Sequence, residues 1–86
     1  PKTKALIYSS PCNPTGTVFT REDLESYAKV LAEFPDIYIV SDEIYEYINF
    51  SGKHYSIAEF PEVKDRVVVI NGFSKGFAMT GWRMGY

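Results

Sequence analysis

The sequence predicts an α/β fold: three layers built on a mostly parallel sheet with one antiparallel strand. Three observations predict it. Runs that are apolar on both faces recur at residues 5–9, 37–41 and 67–71, and a helical pattern lies between the first two. Strands of that kind, separated by helical segments, belong in a parallel sheet covered on both sides. A last run, 82–86, follows the third after a link of only about ten residues, where a parallel crossover takes a dozen or more. That strand is therefore expected antiparallel to its predecessor, returning from the same edge.

Each element has its own local reason. Ala5-Leu6-Ile7-Tyr8-Ser9 is an apolar run that enters the turn-rich Ser10-Pro11-Cys12-Asn13-Pro14-Thr15-Gly16, a buried strand running into a loop. Thr20 offers an N-cap, with Asp23 three residues on as a variant capping box. Leu24, Tyr27, Ala28 and Leu31 follow at the spacing of one apolar helix face, and Glu25 can pair with Lys29 outside it. Pro35 is expected to end the helix after Phe34. Ile37 to Ser41 is a second strand rich in β-formers, and Asp42 to Tyr47 leaves room for one helical turn. Residues 49–64 read as polar and irregular. Val67 to Asn71 is the third strand, and Trp82 to Tyr86 the fourth.

Composition narrows the function classes. With 86 residues the chain is one small domain at most, or a piece of a larger one. At 45% apolar and 23% charged residues it is too apolar for disorder. Nine basic against eleven acidic side chains give −2, which offers no electrostatic argument for nucleic acid or an anionic membrane. The single cysteine excludes an internal disulfide and a cysteine-based zinc site, and no metal is expected. No apolar run approaches the roughly 20 residues of a membrane helix. A cytoplasmic location is the default for such a chain. The sequence opens at Pro1 without a Met and stops at Tyr86 after an apolar, aromatic stretch, so residues 1–86 are expected to be an internal segment of a longer protein.

Topology brings the polar residues to one place. In open α/β sheets, ligands bind beyond the carboxyl ends of the strands. Asn13 follows the first strand, Asp42 the second, Ser74 and Lys75 the third, and Arg83 begins the antiparallel strand at the same edge. An amide, a carboxylate, a hydroxyl, an amine and a guanidinium thus converge. Guanidinium and hydroxyl make a phosphate cradle. A lysine beside another cation gives up its proton more easily and can form a Schiff base. A carboxylate can pair with a protonated heterocyclic nitrogen. Together these requirements describe pyridoxal phosphate.

Three linked motifs carry a family resemblance. Asn13-Pro14-Thr15-Gly16, then Ser41-Asp42-Glu43-Ile44-Tyr45, then Ser74-Lys75 with Gly81-Trp82-Arg83-Met84-Gly85-Tyr86, resemble the fold type I pyridoxal-phosphate enzymes. Within these they are most similar to the class I aminotransferases of the aspartate aminotransferase group. The resemblance covers essentially the whole chain and implies part of a large, cofactor-binding domain. By position it implies that Lys75 is the Schiff-base lysine and that Asp42 holds the pyridine nitrogen protonated. Tyr45 and Asn13 are implied as donors to the ring hydroxyl oxygen, and Ser74 and Arg83 as phosphate ligands. Amino acid and 2-keto acid are the implied substrates, aspartate or a related amino acid with 2-oxoglutarate, in a homodimer. The resemblance also implies a cis Asn13–Pro14 bond. A further phosphate loop, a ring that stacks on the cofactor and an arginine for the substrate carboxylate are implied to lie elsewhere in the longer chain, so these residues by themselves are expected to be inactive.

Blander readings stand beside each residue. Asp42 can cap the turn that follows it, Tyr45 can be a core aromatic, Asn13 a turn residue, and Arg83 a surface partner of Glu43 or Asp65. A lone lysine is ordinarily a solvated group. His54 reads as an exposed loop residue, Cys12 as a bystander, and Tyr8, Tyr38 and Phe77 as core or interface packing residues. Two other functions remain open: a carbon–sulfur lyase or related fold type I enzyme, and a non-catalytic α/β unit.

Overall fold

A computed structural model describes residues 2–86. In chain order it has β1 (Ala5–Ser9), α1 (Arg21–Ala32), β2 (Tyr38–Asp42) and β3 (Val67–Ile70), with short 3₁₀ turns at Ile57–Glu59, Lys64–Arg66 and Thr80–Trp82. The three strands form one sheet in the order β1-β2-β3. Both pairings are parallel, with Ile7 opposite Val40 and Val40 opposite Val68. All three carboxyl ends therefore open at one edge.

α1 begins where its capping residues dictate. Thr20 Oγ1 accepts the Asp23 backbone N–H at 3.1 Å, and Asp23 Oδ2 accepts the Thr20 N–H at 2.9 Å. The reciprocal bonds satisfy donors that the first helical turn leaves free. The helix stops at Ala32, two residues before the expected end, because Glu33 and Phe34 donate to the carbonyls of Val30 and Leu31 in i→i+3 bonds. Arg66 finishes the termination: its guanidinium donates to the carbonyls of Leu31 (2.6 Å), Phe34 (3.1 Å) and Ile37 (2.6 Å). A cation suits that end of a helix, where unpaired carbonyls carry partial negative charge.

The core lies between α1 and one face of the sheet. Leu24, Ala28 and Leu31 of α1 meet Ile39 of β2, and Ile57, Phe60 and Val63 complete the cluster. Three of its seven members thus come from the stretch read as polar and irregular. Ser56 and Glu59 cap the first 3₁₀ turn reciprocally, which turns Ile57 inward. The opposite sheet face, with Ile7, Tyr38, Val68 and Ile70, is exposed. Of the expected three layers, the described residues supply the sheet and one covering layer. Tyr8 is half-buried against the core; Tyr38 and Phe77 lie outside it, with Tyr38 exposed and Phe77 half-exposed against the rings of Tyr47 and Phe73.

The antiparallel return is present but shorter than expected. Gly72 and Gly85 form an antiparallel bridge, Asn71 and Tyr86 exchange backbone bonds at 2.7 and 2.8 Å, and Phe73 donates to the Met84 carbonyl at 3.3 Å. The start of the expected strand is instead a 3₁₀ turn at Thr80–Trp82, and Arg83 follows it at φ 54° and ψ 44°. A left-handed residue cannot continue an extended strand, so pairing begins only at Met84.

Candidate active site

The edge beyond the strand carboxyl ends is built from three loops. The first, after β1, carries Asn13, and its Asn13–Pro14 bond is cis, as is Ser10–Pro11. The loop closes on itself through Gly16 N–H to Cys12 carbonyl (2.8 Å) and Cys12 N–H to Thr17 carbonyl (3.0 Å). Gly16 takes φ 72°, the left-handed conformation glycine adopts at little cost.

Asp42 is the last residue of β2, one place earlier relative to the strand end than expected. Its Oδ1 accepts the Ile44 N–H at 3.2 Å, so it does cap the turn that follows. That turn is not α-helical. Glu46 N–H donates to the Glu43 carbonyl and Ile48 N–H to that of Tyr45, both at 2.9 Å and both i→i+3. In such a turn residues three apart stand one above the other. Asp42 and Tyr45 share one side, Glu43 and Glu46 another.

The third loop follows β3. Ser74, Lys75, Thr80 and Arg83 line an open hollow of ≈ 340 Å³ with Gly72 and Met84. Two glycines allow its tight path. A Cβ on Gly76 would lie 2.7 Å from Tyr47 Cδ2, and one on Gly72 would lie 2.9 Å from the Met84 carbonyl oxygen. Arg83 donates through one guanidinium nitrogen to the Thr80 carbonyl at 2.9 Å, so its bland reading as a partner of Glu43 or Asp65 gives way to a bond within its own loop.

The loops meet at Tyr45. Asn13 Nδ2 donates to Tyr45 Oη at 3.4 Å, joining the first loop to the second. Lys75 Nζ stands 5.9 Å from the Tyr45 ring centroid, joining the third. Both residues of the first contact line a larger open hollow of ≈ 610 Å³ with Cys12, Pro14 and Ile48. Asp42 lines neither hollow; it ends the central strand, between the loop that bears Asn13 and the loop that bears Lys75. Asn13, Tyr45, Ser74, Lys75 and Arg83 are thus gathered around one edge, at which Asp42 ends the central strand.

Under this edge lies a polar layer that pattern reading missed. Glu43 is 4% exposed. Its Oε1 accepts from Ser41 Oγ (2.8 Å) and Ser56 Oγ (2.6 Å), and its Oε2 meets His54 Nε2 at 2.7 Å. His54, read as an exposed loop residue, is therefore largely buried and paired. Ser41 Oγ also lies 2.8 Å from Tyr8 Oη. Burial pushes the Tyr8 phenol up from its ordinary value, and the Glu43 charge pushes in the same direction. Asn71, 4% exposed, donates to Glu46 Oε2 at 2.6 Å. A signal for Glu43 existed: strand alternation places residue 43 in line with the buried Ser41.

Open α/β sheets bind their ligands beyond the strand carboxyl ends, and here that edge carries a lysine, a carboxylate and a guanidinium. Residues 1–86 match the model of the aminotransferase class I and II family, and the chain belongs to that family. It is 52% identical over 86 residues to an aspartate aminotransferase of Pyrococcus abyssi and 58% identical over 87 residues to one of Bacillus sp. strain YM-2, covering 99% of this chain each time. An aromatic aminotransferase structure from Pyrococcus horikoshii superposes with a TM-score of 0.90 at 52% identity over 98% of this chain. An aspartate aminotransferase structure from Rhizobium meliloti gives 0.93 at 36% identity over 99% of it. The chain spans about 22% of the length of each of these relatives.

Proposed function

We propose that this segment forms part of the cofactor-binding large domain of a pyridoxal-phosphate-dependent aminotransferase, which moves an amino group between an amino acid and a 2-keto acid. One observation carries the reading: the Asn13–Tyr45 hydrogen bond and the Lys75 amine over the Tyr45 ring gather three chemically distinct groups at the edge where β2 ends in Asp42.

The donor set fits the cofactor by count. Arg83 has five N–H donors and commits one nitrogen to Thr80. Asp42 commits Oδ1 to Ile44 N–H, and its other oxygen is available to a protonated ring nitrogen. Tyr45 Oη accepts from Asn13 and keeps its own proton to donate. Ser74 and Arg83 would hold the phosphate, Tyr45 and Asn13 the ring hydroxyl oxygen, Asp42 the ring nitrogen, and Lys75 the aldehyde carbon.

When bound, pyridoxal phosphate supplies an electrophilic aldehyde and a ring that draws electrons from the amino-acid α-carbon. The chain's own residues do the rest. Asp42 keeps the ring nitrogen charged, since an opposite charge favours the protonated form. Tyr45 and Asn13 donate to the ring oxygen and stabilise its negative charge. Lys75 Nζ would take the α-proton of the bound amino acid and return it, the work of a general base and acid. Ser74 and Arg83 fix the ring's position, and positioning is worth many kcal/mol when reacting atoms must align.

The names of the relatives support aspartate or a related amino acid as the donor, and 2-oxoglutarate is the acceptor we propose for it. Aspartate and aromatic aminotransferases are similar to this chain at comparable identity. A homodimer working in the cytoplasm completes the reading.

The test is keto-acid formation from aspartate and 2-oxoglutarate by the full-length protein. Asp42→Ala is expected to lower turnover about 10²-fold or more while the protein stays folded. Normal turnover in that variant would remove Asp42 from the site. Residues 1–86 by themselves are expected to show no meaningful activity, and robust Lys75-dependent turnover by the purified segment would overturn that part.

A further inference from the structure

The turn after β2 sends its side chains two ways. Asp42 and Tyr45 go to the site, while Glu43 and Glu46 go to anchors beneath it. Glu43 is among the least exposed residues of the chain. A carboxylate is seldom buried unless it is paired, and a buried pair is weak evidence for stability, since apolar side chains of the same volume often stabilise more. What such a pair can supply is direction. Glu43 Oε1 takes hydrogen bonds from Ser41 and Ser56, and Oε2 takes His54 Nε2 at 2.7 Å. Its backbone N–H donates to the Ile70 carbonyl on β3 at 2.8 Å. Glu46 is tied to Asn71, which is itself fixed to Tyr86 by two backbone bonds. The turn is thereby pinned on one side to residues 54–56 and on the other to the chain that leads into Ser74 and Lys75.

Glu43 and His54 line neither hollow of the site. Within the turn, Asp42 Oδ1 accepts the Ile44 N–H and Tyr45 Oη accepts from Asn13, and Glu43 adds the buried anchor that fixes its rotation about the chain axis. Asp42 precedes Glu43 directly and Tyr45 is two residues on, so a rotation of the Glu43 peptide re-aims both. We propose that Glu43, held by His54, is a positioning residue that sets the orientation of Asp42 and Tyr45 toward the cofactor; this rests on the functional reading above.

The experiment uses the full-length protein, with pyridoxal phosphate as the probe. Glu43→Ala is expected to weaken pyridoxal phosphate binding by the apoprotein about tenfold or more and to lower kcat by a similar factor, with the amino-acid KM within about threefold. Pyridoxal phosphate joined to a lysine amine absorbs in the near-visible, and the variant is also expected to move the pH midpoint of that band, because the groups around the ring are no longer aimed. Glu43→Gln keeps the shape and can still accept from both serines and donate to His54, so it should restore most of each readout. His54→Gln, at the rim of the network, is the variant to rely on should Glu43→Ala fail to fold. It should shift the same readouts in the same direction by a smaller factor.

The inference is overturned if the Glu43 and His54 variants lower only the melting temperature while cofactor affinity, kcat and pH midpoint stay within about twofold of wild type. Lys75→Ala separates the two levels. If it loses the near-visible band while the Glu43 and His54 variants behave as wild type, positioning alone is wrong. If it keeps full turnover, the reading of the site beneath is wrong.

Discussion

The two sides of β2 do different jobs with the same backbone. Toward α1 it presents Ile39 to a cluster of Leu24, Ala28 and Leu31, where any apolar shape of the right volume would serve. Toward its carboxyl end it presents Ser41, Asp42 and then Glu43, each with a named partner. The core is held by non-directional burial. The edge is held by directional bonds, and it also concentrates the left-handed residues Ala78 and Arg83 and the close glycine contacts at Gly72 and Gly76. Unfavourable backbone conformations of this kind collect where geometry serves chemistry. Stability and activity should therefore respond to different residues.

The sharpest way to break this division is a pair of substitutions. Lys75→Ala in the full-length protein is expected to lower transamination on the order of 10³-fold or more with little change in melting temperature. Lys75 is exposed, with its amine 5.9 Å from the Tyr45 ring centroid. Leu24→Ala should do the reverse. Leu24 is fully buried, and truncation of such a leucine costs about 2–5 kcal/mol. Chemical denaturation and turnover per folded molecule, measured on both variants, decide the matter. A Leu24→Ala protein that loses turnover without losing stability would erase the distinction.

How much of this was legible in the sequence follows the same line. The strands and α1 were legible because their patterns are local: apolar runs for the sheet, a 3–4–7 spacing and Thr20 for the helix. The edge was legible because topology alone sends Asn13, Asp42, Ser74 and Lys75 to one side. Ile57, Phe60 and Val63 were hidden because 3₁₀ turns are too short to show a period, although Ser56 and Glu59 spell the same capping box as Thr20 and Asp23. The Glu43–His54 pair was hidden for a different reason. Its members are 11 residues apart, and only the tertiary fold brings them together. Arg83 lay at the expected edge, but its left-handed backbone, which shortens the fourth strand, has no signature in an arginine side chain.

Gly76 sits on the boundary between the two regimes and sharpens it. A Cβ there would meet the Tyr47 ring at 2.7 Å, and Tyr47 itself packs edge-on against Phe77 at 5.4 Å between centroids. Gly76→Ala must move the ring or the loop, and overpacking of this kind costs about 1–3 kcal/mol. If the ring gives way, only stability falls. If the loop gives way, Lys75 moves with it and turnover falls further than stability does. Since Lys75 is the neighbouring residue, the loop outcome is expected, read as a larger loss in kcat than in melting temperature.

The smallest effect tests the core side at its rim. The Thr20 backbone N–H, and then its hydroxyl, hold the Asp23 carboxyl below its ordinary range. A carboxyl whose folded value is lowered stabilises the protein above its unfolded value and loses that contribution as pH falls through the folded one. Asp23→Asn should therefore be less stable than wild type at neutral pH, and the gap should close on acidification through the carboxylate range. Glu25 carries the same sign, lowered by its hydrogen bond and charge interaction with Lys29, and would blur the result. Salt separates them. The Glu25–Lys29 pair is exposed and screened at high ionic strength, whereas the Asp23 bond to a backbone N–H is short and local. In about 1 M salt, where the Debye length falls to roughly 3 Å, the pH-dependent gap between wild type and Asp23→Asn should persist while that for Glu25→Gln shrinks. A gap that stays constant from neutral to acidic pH would mean that the Asp23 charge has no part in starting α1.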